Sequence, residues 1–218
     1  MSSDPYTILT ILGVLGFICL STLGTVVVFG LFFYFVIRPN IERSKVVNRN
    51  WELFAAQKGL TFLNGTRPSI TGLYQGREMK LAVINPEYDF EGPVRFTAGK
   101  IAKSNYLLTR VSTPVKDDDL ELKVYLRGLF DQAVSEQSPG IRNEAFDAKF
   151  NVTCSSPNRV KSILNPEVQS ALLERQINLL DFHNGTLNLN TIGVESRPEI
   201  FEALLKLVCR IADEIENR

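Results

Sequence analysis

One histidine, three cysteines and no surplus of either charge leave this chain short of the usual materials for metal chemistry, disulfide frameworks and nucleic-acid binding. The lone His183 excludes a multi-histidine metal site within one chain. Cys19, Cys154 and Cys209 show no C-x-x-C spacing, which fits packed thiols in a reducing compartment. Basic and acidic residues balance at 24 each, so no net field gathers nucleic acid. The chain also lacks G-x-G-x-x-G, H-E-x-x-H and G-x-S-x-G patterns. Its nearest approach to a phosphate loop, Gly92 to Lys100, places the glycines seven apart and Ile101 where Ser or Thr would bind magnesium. Asp117, Asp118 and Asp119 are adjacent carboxylates without the EF-hand spacing, and read as a solvated turn. No catalytic residue, metal or cofactor is expected from this pattern.

What the chain does have is a run without charge, Tyr6 to Ile37, bracketed by Asp4 and Arg38. As a helix it would extend roughly 48 Å, against a hydrocarbon core of about 30 Å. Residues 1–5 carry no Lys or Arg and no cleavage site follows the run, so it reads as an uncleaved transmembrane helix rather than a signal peptide. Arg38, Arg43, Lys45 and Arg49 come directly after it, which predicts an inner-membrane protein with its N-terminus outside and its C-terminal domain in the cytoplasm. At 100° per residue Thr10, Gly13, Gly16, Ser21 and Gly24 lie within about 140° of one another, a strip of small residues suited to helix–helix contact. Phe32, Phe33, Tyr34 and Phe35, with Arg38, Arg43 and Lys45, form the expected membrane-interface set.

Arg38-Pro39 predicts that the preceding helix ends or kinks, and residues 38–59 a juxtamembrane helix beginning near Ile41, with Val47, Trp51, Phe54 and Ala55 at helical spacing and Gly59 as its stop. From residue 60 the period shortens to two. Strands are predicted at Leu60–Leu63, Ser69–Tyr74, Met79–Ile84, Asn105–Thr113 and Leu120–Leu126, with Glu87 to Gly99 as an irregular loop. Ala145–Cys154 reads as a further strand, Ser156-Pro157 and Asn165-Pro166 as starts of two short helices, and Asn184-Gly185 as the tip of a hairpin. A last helix from Pro198 to Glu216 sets Phe201, Leu204, Leu205, Val208, Ile211 and Ile215 on one stripe. The fold class expected is α+β: a transmembrane helix, then an antiparallel meander and hairpins packed with amphipathic helices over residues 60–218, with 60–126 and 145–218 as candidate lobes.

Several motifs bear a likeness to a known group. FDAKFNV (Phe146–Val152), VKSIL (Val160–Leu164), Asn165-Pro166, VQSALL (Val168–Leu173), a hairpin and a final helix are all present. So are W-x-x-F-A-x-x-x-G-L-x-F (Trp51 to Phe62) and the Gly72 to Arg77 segment. Together, and best over Phe146 to Ile192, these resemble a bacterial family of single-pass membrane-anchored proteins whose C-terminal domain is of unknown function. The resemblance implies an anchored α+β domain and brings no catalytic residue.

The functional expectation is a non-catalytic accessory or stabilising subunit of a larger membrane protein complex, such as a bioenergetic one. Its partners would be integral membrane subunits and membrane lipid. The alternative is a membrane-anchored sensor of a small ligand or anionic headgroup, with Arg77, Arg95, Lys100 and Lys103 as anion contacts.

Overall fold

The apolar–polar alternation that follows Gly59 builds eight strands, all paired antiparallel, in a computed structural model that describes residues 25, 27–65, 67–85, 107–117, 119–128, 141, 143–175 and 177–217. The strands are β1 (Thr61–Leu63), β2 (Ser69–Tyr74), β3 (Arg77–Ile84), β4 (Leu108–Pro114), β5 (Leu122–Leu126), β6 (Phe150–Cys154), β7 (Ile177–His183) and β8 (Thr186–Ile192). They form one sheet in the order β1-β2-β3-β4-β8-β7-β5-β6. The helices are α1 (Arg38–Lys58), α2 (Glu144–Lys149), α3 (Pro157–Ile163), α4 (Pro166–Glu174) and α5 (Pro198–Glu216). The chain divides into two units, the first ending at Val47 and the second running from Asn48 to Arg218.

The membrane-spanning helix expected over Tyr6–Ile37 is overturned: among the described residues no helix is long and apolar enough to cross a membrane. Within the described residues the uncharged Val27–Ile37 segment continues directly into the polar start of α1. Thr10, Gly13, Gly16, Ser21 and Gly24 lie outside the described residues. Of the two outcomes expected at Pro39, an end or a kink, the helix does not end there. A π-helical turn, Phe33–Ile37, precedes α1, and the Arg38 amide reaches back to the Phe33 carbonyl. That widened turn resets the hydrogen-bond register just where proline has no amide to offer.

α1 ends as its sequence demands. Gly59 adopts φ +66°, and the amides of Gly59 and Leu60 close on the carbonyls of Ala56 and Ala55, the paired bonds of a Schellman cap. Trp51 and Phe54 are buried against Phe201 of α5, with ring centroids 5.0 and 5.3 Å apart. The Trp51 indole donates to the Glu195 carbonyl at 2.8 Å, so the largest buried ring has no unsatisfied donor.

Strand register divides the sheet into two unlike faces. One carries Ile70, Leu81, Val111, Leu189, Leu180, Val124 and Val152 in cross-strand succession, all buried. α5 lies against β4 and β8, α3 and α4 pack on α5, and nine α5 residues from Phe201 to Ile215 are buried. Gly72 marks a close approach on this side: a Cβ there would sit 2.9 Å from Leu60 Cδ2. The other face is largely polar.

Ala145–Cys154 departs from the expected strand. Its first part is α2, capped by the Asn143 side chain accepting from the Phe146 amide, and only Phe150–Cys154 is extended. Phe146 and Phe150 are four residues apart, a spacing that one face of a helical turn satisfies as well as alternation does. The cap decided between them. The Asn184-Gly185 hairpin forms as expected, with φ of 49° and 66° as a type I′ turn requires. Asn165 caps α4 by accepting from the amides of Glu167 and Val168. β5 lies between β6 and β7, so strands from both candidate lobes share the sheet.

Candidate functional site

Two surfaces stand out, one in each unit. The first is a helical stretch whose large apolar side chains are exposed among the described residues. Val27, Val28, Phe29, Leu31, Phe32, Phe33, Tyr34, Phe35 and Val36 are exposed, from 45% at Val36 to 68% at Phe35. Successive exposed residues cover every side of the helix, which an amphipathic surface helix does not do. Tyr34 and Phe35 meet edge to face at 5.2 Å, and the Arg38 guanidinium lies over the Tyr34 ring at 5.5 Å. Lys45 reaches Glu42 at 3.4 Å, and Arg43 is exposed. The expected interface residues are thus brought together: Phe32, Phe33, Tyr34 and Phe35 at the end of the apolar stretch, Arg38, Arg43 and Lys45 directly beyond it. Chemically, this is an exposed apolar and aromatic stretch followed directly by cationic side chains.

Of the expected anion contacts, Arg95, Lys100 and Lys103 lie outside the described residues. Arg77 is occupied. Its Nη2 donates to Asp213 and Glu216, and its Nε to Asp213 at 3.1 Å, so β3 is tied to the last turn of α5. The hydrogen bond that Arg77 donates to Glu216 is the main cause that holds the guanidinium's pKa above its ordinary value, and burial opposes it. The same bond lowers the Glu216 carboxyl, which also accepts from the Lys116 amide at 3.0 Å. Arg159 supports that helix end from another side, donating to Asp117 and to the Ile215 carbonyl. These bonds make Arg77 a fastening between strand and helix.

The second surface is the polar sheet face, which sequence reasoning did not single out. Register places Arg110 beside Asn190 and Ser112 beside Asn188, with side-chain bonds of 2.9 and 2.8 Å. Asn188 faces Asp181, and Asp181 faces Lys123 at 3.9 Å. Burial is the main cause that raises the Asp181 carboxyl, opposed by Lys123, His183 and Arg110. At the rim His183 Nδ1 stands 3.3 Å from Glu121. The signal was available as i, i+2 polar positions in each strand, Arg110/Ser112, Asn188/Asn190 and Asp181/His183. What could not be read was their alignment, because β4 pairs with β8 and β5 with β7 across long stretches of chain. Most of these groups satisfy one another, the economical use of polar side chains on a sheet.

Grooves elsewhere are shallow and mixed in charge. One of about 840 Å³ follows α5, lined by Arg175, Glu199, Lys206, Leu207 and Arg210 among others. Burial raises the thiol pKa of both Cys154 and Cys209, the reverse of what a nucleophilic cysteine needs. Among the described residues no group of three metal-ligating side chains comes together.

No family model matches the chain, and no curated protein matches it in sequence. A solved structure does share its architecture. The chain is similar to the crystal structure of the mycobacterial trehalose monomycolate transport factor A, TtfA, with a TM-score of 0.51 over 78% of this chain and 94% of that one. At 11% identity the likeness to TtfA shows the fold alone.

Proposed function

We propose that this chain is a non-catalytic accessory subunit of a larger membrane protein assembly, with its α+β domain on the cytoplasmic side of the inner membrane. The observation that supports this reading is the stretch Val27–Val36, whose large apolar side chains are 45–68% exposed among the described residues. Apolar surface of that extent left in water is costly and marks a place where another molecule binds. Within the second unit α5 is pinned by Arg77 and Arg159. TtfA, named as a transport factor, has the same fold, a parallel at the level of fold only. The partners of this chain, in this reading, are integral membrane subunits and lipid.

The test is affinity purification of the full chain from its native membrane in mild detergent, with identification of whatever accompanies it. Membrane subunits at fixed ratio are the expected result. A lone monodisperse chain overturns the proposal.

A further inference from the structure

We infer that Tyr34, Arg38, Ile41 and Lys45 form a contact for the headgroups of anionic phospholipids; the inference rests on the membrane reading above. At 100° per residue Arg38, Ile41 and Lys45 fall within about 60° of one another on α1. Arg38 and Lys45 are about 10 Å apart along the axis, far enough to engage separate phosphates. Cation–π contact with Tyr34 holds the Arg38 guanidinium in place while leaving its N–H groups free to donate. Between the two cations Ile41 is 43% exposed, an apolar side chain that the glycerol and upper acyl region would cover.

The charge pattern selects this occupant. From Val27 to Arg49 there is one carboxylate, Glu42, against Arg38, Arg43, Lys45 and Arg49. The Glu42–Lys45 pair is 62% and 67% exposed, a weak pair from which a phosphate can take the ammonium. Polarity here changes abruptly along the helix axis, apolar on all sides up to Val36 and cationic from Arg38. A protein groove would demand a change around the axis, one side apolar and the other polar. A layered boundary between hydrocarbon and phosphate demands a change along it.

The test uses the purified full chain in mild detergent, offered phosphatidylglycerol or phosphatidylcholine, with retained lipid counted by native mass spectrometry. Wild type is expected to prefer phosphatidylglycerol. Each cation is worth about fivefold, so Arg38→Gln with Lys45→Gln should lower the preference about 25-fold. Arg38→Lys with Lys45→Arg should keep most of it, which shows that charge and not a misfolded α1 is being read. Equal retention of both lipids by wild type, or an undiminished preference in the Gln variant, overturns the inference. Co-purified subunits are scored in the same preparation: subunits present without lipid preference sink this inference alone, and lipid preference without subunits sinks the accessory-subunit reading alone.

Discussion

Val27–Val36 and α5 are both rich in large apolar side chains, and their fates are opposite. α5 buries nine residues beneath a polar outer side that carries Glu199, Glu202, Lys206 and Arg210, whereas every large side chain of the N-terminal stretch is exposed. What separates them is periodicity. Charges at every third or fourth position tell α5 which side to turn to water, and its own sheet supplies the cover. An unbroken apolar stretch gives no such instruction, and among the described residues it stays exposed. Apolar residues that pack in the protein's own core are therefore distinguishable by their periodicity from those that stay exposed.

Three measurements would break or sharpen that contrast. The largest effect is expected from Phe201→Ala, which removes the ring on which both Trp51 and Phe54 pack. Denaturant unfolding should show a loss of about 3–5 kcal/mol. A loss below 1 kcal/mol would mean that α5 is not the organiser of the core.

Next comes the fastening at the far end of α5. Arg77→Met keeps the stem and deletes the charge, and should cost about 1–2 kcal/mol at pH 7 because Glu216 loses its partner. The Glu216 carboxyl is depressed in the folded state, so the stability it contributes is complete above its ordinary value and is lost as pH falls through the lower, folded one. The gap between variant and wild type should therefore narrow on acidification below about pH 4.5. A constant gap across that range would assign the effect to packing of the arginine stem.

The smallest change in stability is expected from Phe32→Ser with Phe35→Ser. Both rings are exposed, so unfolding of the α+β domain should move by no more than about 0.5 kcal/mol. Recovery of membrane subunits with the chain should nonetheless drop. Were the domain strongly destabilised instead, the stretch would belong to the core and the contrast with α5 would fail.

Features set by local chemistry were legible in the sequence. Gly59 ends α1, Asn165 caps α4, Asn184-Gly185 turns the hairpin and α5 shows its stripe, because each needs only a few neighbouring residues to act. Two local readings went the other way. The Asn143 cap made Glu144–Lys149 helical, and the π-helical turn let α1 pass through Pro39. The transmembrane reading of Tyr6–Ile37 treated the run as one helix, and no described helix meets that requirement. Of the site, the aromatic and basic cluster at Phe32–Lys45 was visible because it is contiguous. The pairing of Arg77 with Asp213 and Glu216, more than a hundred residues away, and the alignment of Arg110, Asn190 and Asp181 arise only from the topology of the sheet.

That topology also has a consequence in time. β4 and β8 pair in the interior of the sheet, and β5 waits for both β6 and β7, so much of the pairing joins residues made early in synthesis to residues made near its end. While the ribosome is still adding the segment that holds β7 and β8, the β8-side edge of β4 and the β7-side edge of β5 have no strand to receive them, and such edges readily accept foreign ones. Pairing across such separations is slow. A newly made chain must therefore keep its first half from aggregating until its last quarter emerges, and a chaperone that shields strand edges during translation should raise the yield of folded protein more than one that acts after release.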